Sequence, residues 1–442
     1  MTRESQPGPH PPRTRGLRGP AAGTYSGTYS WFVVLLLWLV CFFSYADRQA
    51  FFSVYPLLQK DLRLSTVRLG LLGSSFAVLY GISGPFAGYL VDRIRRKTAI
   101  LGGLEFWSVL CSLSALSRSF FALLVFRAAE GLGEAIYYPA ALSMVSDYHG
   151  RATRSRAMGI LQTSVYAGTV GGGYWAGLIA QRHGWRMAVL FFGGLGCLLG
   201  VALAGLLREP SRGQADLSTD GKRNPIPARQ DAPEPHAAFS LAAMRPLLTT
   251  PPLPALMGAF ACANFVAMAL LAWMPAFLYA RFHLSLGTAA FDAAVYPQLA
   301  SMAGSTCGGF LADMQARRSC GGRIRVQFVG VLAGIPFVAI CGLSGSLPLV
   351  KGALVGWGFF KGLYDSNIFA SAFDVVPAPM RGTVSGLMNC VGWLIGGGLA
   401  PTAIGLAAAS MPLGRALACS SVFYALAAGL LLLSGRRLRA GT

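Results

Sequence analysis

Charge is what this 442-residue sequence has least of: 12% of its residues are Asp, Glu, Lys or Arg, against about 25% in soluble domains. With 54% hydrophobic residues beside that, the chain has too little polar surface to face water on all sides. A mean hydropathy of +0.52 agrees, and lipid is the solvent it implies. Histidine is scarce too. All five (His10, His149, His183, His236 and His283) fall in predicted tails or loops, so no metal site is expected. None of the nine cysteines makes a CxxC pair. Only Cys320 lies clearly in a loop, and the others suit small buried hydrophobes. A phosphate-cradling Gly-x-x-x-x-Gly-Lys-Ser/Thr loop is missing, which argues against an ATP-driven pump. No nucleophile–base set stands at membrane depth either, so neither an enzyme nor a cofactor is expected. The first 29 residues are rich in Pro, Gly and Arg and do not start with the short apolar core of a signal peptide.

Long apolar runs are what the sequence does have. A bilayer core takes about 20 apolar residues per helix. On that criterion six spans are predicted at Trp31–Phe52, Leu69–Val91, Thr98–Ser117, Phe120–Val145, Ala157–Ala180 and Met187–Leu207. Six more are predicted at Leu253–Tyr279, Ala289–Ala312, Val326–Ser344, Leu349–Val376, Thr383–Ala409 and Leu413–Ser434. The expected fold is all-α: twelve transmembrane helices in two six-helix bundles, residues 30–207 and 251–435. Residues 1–29 and 436–442 would be tails. Residues 208–250 would be a charged linker with one short surface helix near 239–248. The 55 glycines and 25 prolines sit largely inside the apolar runs, where neighbouring helices re-satisfy the backbone groups they free.

The formal net charge of +20 would suit nucleic acid if it were clustered. It is not. Of the 37 Lys and Arg, 25 fall in the two tails and the loops on their side, and eight in the opposite loops. That is the positive-inside pattern, so the basic balance reports topology. Both termini are expected in the cytoplasm, with a bacterial inner membrane as the location and no nucleic acid as partner.

The second span ends in Gly88, three residues, Asp92, Arg93, then Arg95, Arg96 and Lys97. The eighth ends in Gly309, three residues, Asp313, then Arg317 and Arg318, 221 positions on. Spans five and eleven echo each other as well: Arg154 to Gly159 matches Arg381 to Gly386, and each runs on to a Gly triplet. Internal repeats build many secondary carriers, with the substrate site between the halves. The Gly-x-x-x-Asp-Arg-x-x-Arg-Lys loop resembles the signature between helices two and three of the major facilitator superfamily, and the later copy supports it. Arg95 stands where Gly is usual. The resemblance covers the chain apart from its N-terminal tail and linker, and implies alternating access with Gly88, Asp92, Arg93, Arg96 and Asp313 at a cytoplasmic gate.

Ionisable groups at membrane depth cost about 2.5–3.5 kcal/mol each on insertion scales, so each one present is a functional candidate. Arg127, Glu130 and Glu134 are spaced i, i+3, i+7 on one helix face. They suit a structural cluster, or a substrate anchor with a proton site, since an Arg fork binds carboxylate or phosphate. Asp47 and Arg48 point about 100° apart, so Asp47 would face a cavity while Arg48 reaches an acid on another helix such as Glu134. Lys361 and Asp365 are a self-neutralised pair or, with Trp357, part of a cavity wall. Glu105 and Asp292 are single acids expected to be structural or peripheral.

The stretches around Asp47-Arg48, Phe106–Ser108, Arg127–Ala135 and Gly184–Arg186 resemble two related groups. These are the Spinster-like proteins, whose animal members move lysophospholipids and sphingoid phosphates, and the anion:cation symporters of hexuronates and aldarates. The run Gly362–Pro377 is more similar to the bacterial Spinster-like members. In both groups the helix-one acid and the helix-four Arg and Glu serve the proton and substrate site, which implies those roles for Asp47, Arg127 and Glu134. Glu130 is an extra acid. The expected function is proton-coupled transport of a small or amphiphilic organic anion by a monomer. Tyr45, Asp47, Arg48, Arg127, Glu134, Tyr138, Asn264, Trp273, Lys361, Asp365 and Asn389 would supply the site. Efflux by proton antiport and a non-transporting receptor stand as alternatives.

Overall fold

Lipid offers no hydrogen bonds, so a spanning segment must satisfy its own backbone, and a helix does so within itself. The computed structural model describes residues 27–149, 153–210, 252–319, 321–376 and 381–440, and every regular element among them is helical. The first half holds α1 (Gly27–Ser53), α2 (Tyr55–Asp61), α3 (Thr66–Arg93), α4 (Arg96–Ser114), α5 (Phe120–Tyr148), α6 (Arg154–His183) and α7 (Trp185–Leu206). The second holds α8 (Pro252–Phe282), α9 (Leu286–Arg318), α10 (Gly322–Leu343), α11 (Leu347–Asp365), α12 (Ile368–Asp374), α13 (Arg381–Val391), a π-helical segment (Gly392–Gly397), α14 (Gly398–Ala407), α15 (Leu413–Cys419) and α16 (Ser421–Ala440). With the short α2 set aside, and α11–α12, α13–α14 and α15–α16 each read as one broken passage, the described residues make six passages in each half. Residues 1–26, the expected surface helix at 239–248, most of the linker, Cys320 and the last two residues lie outside the described residues; of the expected tails, residues 27–29 belong to α1 and 436–440 to α16.

By length and composition, seven spans among the described residues can cross a membrane. The long helices that fall short are α4, α5, α6, α9 and α11, which are richer in charged, Ser, Thr and Gly residues.

Three passages depart from the uniform helices expected. The tenth is broken at Ser366 and Asn367, where the Asn367 amide donates to the carbonyl oxygens of Gly308 and Leu363 at 3.1 and 3.0 Å. The eleventh is widened into the π segment around Trp393, and the twelfth is interrupted at Ser420.

The repeat extends into the packing. A Cβ placed on Gly131 would lie 2.5 Å from the Phe76 carbonyl oxygen, and one on Gly358 would lie 2.5 Å from that of Pro297. A Cβ on Gly103 would meet the Gly133 carbonyl oxygen at 2.9 Å, and one on Gly330 that of Phe360 at 2.8 Å. Phe76 and Pro297 are 221 positions apart; the other matched residues are 227 apart. The crossings of α3 with α5 and of α4 with α5 are thus rebuilt as α9 with α11 and α10 with α11. Absent side chains let these backbones touch, as in membrane helix pairs generally.

The halves meet along α3 with the α13–α14 passage and along α6 with α9. At the end away from the termini they are shut. Thr66 donates to the Gly405 carbonyl at 2.7 Å, Ser74 and Thr402 bond at 2.7 Å, and Gly177 abuts Gly287. Tyr55 and Trp273, one from each half, meet there at 5.4 Å between ring centroids. Toward the other end, Cβ positions on Gly84, Gly88, Gly159, Gly309 and Gly386 would have no neighbour within 4 Å. One end is closed and, among the described residues, the other is parted.

Asp61 ties the closed end of the first half together, accepting from Trp185 Nε1 at 2.9 Å and Arg186 Nη1 at 2.5 Å. These two bonds hold its carboxyl below the usual range. A carboxyl lowered by folding stabilises above its unfolded value and loses that contribution as pH falls through its folded value. The Tm deficit of Asp61→Asn is therefore expected to be largest near neutral pH and to vanish in acid. Separately, Gly131→Ala, which drives a methyl into backbone, should destabilise by about 1–3 kcal/mol. Gly159→Ala should leave Tm unchanged in the same melting series.

Candidate functional site

Five charged side chains are buried together inside the first half. Asp47, Arg48, Arg127, Glu130 and Glu134 are each at most 8% exposed. Helix α1 brings Asp47 and Arg48, and α5 brings the other three. Close approach is possible because Gly131 and Gly133 remove side-chain bulk from α5 where α3 and α4 cross it.

The pairing is crossed. Arg48 donates through Nε to Glu134 at 2.6 Å, with Nη2 at 2.5 Å, and Ser44 Oγ donates to the same oxygen at 2.6 Å. Arg127 is bonded to Glu130 and lies 3.8 Å from Asp47. Cys111 Sγ donates to Asp47 at 3.1 Å, and Ser114 Oγ to Glu130 at 3.1 Å. Aromatic rings complete the enclosure. Arg127 lies over Phe51 at 4.2 Å and Phe76 at 5.1 Å. Arg48 is ringed by Tyr45, Phe76, Tyr80 and Trp393 at 4.9, 4.7, 4.7 and 5.2 Å. Trp393 belongs to the second half, and the π segment carries it to Arg48 and to Tyr80, 4.8 Å away.

A cavity of about 520 Å3 lies midway along the molecule between α1, α6, α8, α9, α11 and α12. Its α8 side is largely apolar, with Phe260, Ala267, Met268 and Leu271, whereas α6 presents Gln162, Tyr166 and Thr169. Among the described residues the wall carries one cation, Lys361, ion-paired to Asp365 one turn on. Lys361 stands 227 positions after Glu134, so the repeat puts an acid in one half where it puts a base in the other. Tyr45 belongs to both places: it lines the cavity and stacks on Arg48.

A family model described as Major Facilitator Superfamily matches residues 37–401. The chain belongs to the major facilitator superfamily. Its fold and relatives are those of membrane transporters rather than enzymes. It is 27% identical to protein spinster of Drosophila melanogaster over 74% of this chain and 51% of that protein. It is 26% identical to the hexuronate transporter of Bacillus subtilis, covering 81% of this chain and 83% of that one. The probable L-galactonate transporter of Escherichia coli is 27% identical over 63% of this chain and 61% of its own length. The chain thus spans about half to three fifths of two of these relatives. Among solved structures, a bacterial homologue of the human lysosomal transporter Spinster, inward-facing and unoccupied, superposes with a TM-score of 0.81. It is 23% identical, covering 94% of this chain and 99% of that one.

In this major facilitator the residues singled out from sequence separate into three places. Arg48 reaches Glu134, the cross-helix partner suggested for it. Asp47 points toward Arg127 and Cys111 and not to the cavity wall, because α1 turns that face inward against α4 and α5. Asn264, Lys361 and Asp365 line the cavity, and Tyr138 Oη donates to the wall residue Gln162 at 3.4 Å. Trp273 sits at the closed end, 2% exposed, donating to the Pro401 carbonyl oxygen at 3.0 Å. Asn389 is exposed on α13, off the wall.

The gate residues pair within halves. Arg96 meets Asp147 at 2.8 Å, and 227 positions on Arg323 meets Asp374 at 2.9 Å and Asp313 at 3.1 Å. Arg93 stacks on Tyr89 at 3.4 Å. Among the described residues no ion pair crosses between halves at this end, as its parting requires; the Asp92 side chain lies outside them. Sequence reasoning missed Arg323, Asp374 and Glu209. Glu209 accepts from the backbone N–H groups of Arg96 and Lys97 at 2.8 and 2.7 Å, capping α4. It also treated Asp292 as single, whereas it pairs with Lys351 at 2.8 Å. An offset of 227, applied to Arg96 and Asp147, would have found the Arg323–Asp374 pair.

Removing the Glu134 carboxyl leaves three buried donors, Arg48 Nε, Arg48 Nη2 and Ser44 Oγ, without their acceptor, at a cost of about 1–3 kcal/mol per unsatisfied group. Glu134→Ala should therefore lower the melting temperature of the purified protein markedly. Glu134→Gln, which keeps an acceptor for Arg48 and Ser44, should lower it much less.

Proposed function

We propose that this protein is a proton-coupled carrier of a small or amphiphilic organic anion that works by alternating access. The observation that supports the reading best is a cavity with one accessible cation beside a sealed cluster of three carboxyls and two guanidiniums. Such a cluster carries one net negative charge when every member is ionised and none when a single proton is held. In a low-dielectric interior that difference is large, so a proton is a natural occupant. Asp47 and Glu134 are the proton-exchanging acids, with Glu130 as the third carboxyl. Arg48 and Arg127 hold the acids in place, and Lys361, Asn264 and Tyr45 face the cargo.

Tyr45 links the two places. A cargo resting on its ring bears on the wall of Arg48, and so on the Arg48–Glu134 pair. Trp393 extends the same aromatic ring into the second half, which gives the cluster a contact with the body that moves against it. The basic residues in the loops on the side of the termini support an orientation with both termini in the cytoplasm of a bacterial inner membrane. In that orientation the parted end faces inward, and Gly88, Arg93, Arg96 and Asp313, with Asp92, serve its closure. The relatives named above favour sugar acids as the first cargo to try, and the apolar α8 wall leaves room for a longer hydrocarbon part. Binding calls for neither a nucleic acid nor a second subunit.

Proteoliposomes test the coupling. Wild-type protein should accumulate a hexuronate, L-galactonate or glucarate when a proton gradient is imposed and should stop when it is collapsed. Asp47→Asn and Glu134→Gln should still exchange labelled anion across the membrane but lose gradient-driven accumulation. Unchanged accumulation in both variants would rule out the proton-site assignment.

A further inference from the structure

The ion pair on the cavity wall is oddly built if its purpose is to hold the protein together. Lys361 and Asp365 lie one turn apart on the same helix, so their bond joins no two helices. The basic residue precedes the acid, the less favourable order for an i, i+4 pair. Asp365 is also the last residue of α11, where the helix dipole disfavours negative charge. Other groups hold α11 in place: Trp357 Nε1 donates to Tyr424 Oη at 2.9 Å, and Gly358 packs on the Pro297 backbone. The contrast with the first half is direct. Glu134, the repeat counterpart of Lys361, is paired across helices and sealed, whereas Lys361 and Asp365 are 25% and 39% exposed on the cavity wall.

We propose that Asp365 is a resident counter-ion: it occupies the anion subsite on Lys361 while the cavity is empty, and an anionic cargo must displace it. Asp365 is then a specificity-determining residue. A carboxylate or phosphate able to take over Lys361 enters, whereas a neutral molecule of the same shape gains nothing that offsets breaking the pair. The break after Asp365, at Ser366 and Asn367, leaves the carboxylate at a helix end and free of a following turn. This inference rests on the reading that the cargo is an organic anion.

The test is equilibrium binding of D-glucuronate to the purified full-length protein at one pH and ionic strength, with Tm as a control for folding. Removing a competing unit charge at contact distance should tighten binding by about tenfold or more. Asp365→Asn and Asp365→Ser should both show this gain, and Asp365→Glu, which keeps the competing charge, should not. Lys361→Gln should weaken binding by a similar factor. Lys361→Gln with Asp365→Asn should be no tighter than Lys361→Gln alone, because Asp365 acts only through Lys361. Equal or weaker binding by folded Asp365→Asn and Asp365→Ser, or failure of both to fold, would overturn the proposal by making the carboxylate structural. If the wild type binds neither D-glucuronate, other sugar acids nor an anionic lysophospholipid, the organic-anion reading itself falls. If it binds them and the Asp365 variants do not tighten, the counter-ion role alone falls.

Discussion

A charge inside a membrane needs an opposite charge beside it, and that requirement organises both halves of this molecule. In the first half it draws α1 and α5 together, because Arg48 and Glu134 are on different helices and neither can stay buried alone. The glycines of α5 follow from that demand. Gly131 and Gly133 let α3 and α4 come close enough for Ser114 and Cys111 to donate to Glu130 and Asp47. Wherever charge is sealed, side chains around it are small, aromatic or hydroxylated.

The second half solves the same problem differently. Its cavity pair, Lys361–Asp365, is confined to one helix, whereas Asp292–Lys351 joins α9 to α11 away from the cavity wall. The two halves, matched in their helix crossings, thus differ in how tightly their charge is enclosed. The sealed half suits storage of a proton, and the open half suits exchange with a solute. Tyr45, common to the cavity wall and the Arg48 cage, and Trp393, reaching from the π segment to that cage, are the physical contacts between these two tasks.

Much of this was legible in the sequence because lipid simplifies the code. Apolar length sets the spans, and the rarity of charge makes Asp47, Arg127, Glu134 and Lys361 conspicuous. The Arg48–Glu134 pair was foreseeable from the 100° offset of Asp47 and Arg48. Other features left no local signal. The π segment at Gly392–Gly397 and the break at Asn367 arise from packing against neighbouring helices, and no residue pattern in the apolar run distinguishes them. Trp273 resembled a cavity aromatic, but its depth along α8 was not readable, and it seals the closed end against Pro401. Glu209 was hidden by its place at the start of a polar linker, where a charged residue draws no notice. The orientation of Asp47 depended on which face of α1 met α4, which spacing alone does not determine.

The central proposal is that an anion crosses together with a proton held in the cluster, one for one in its simplest form. The most direct measurement is the steady-state accumulation ratio of a monoanionic hexuronate in proteoliposomes under independently clamped pH gradient and membrane potential. One proton with one monoanion moves no net charge. The account predicts a ratio that rises about tenfold per unit of pH gradient and does not respond to voltage. A ratio that follows the voltage and ignores the pH gradient would contradict it.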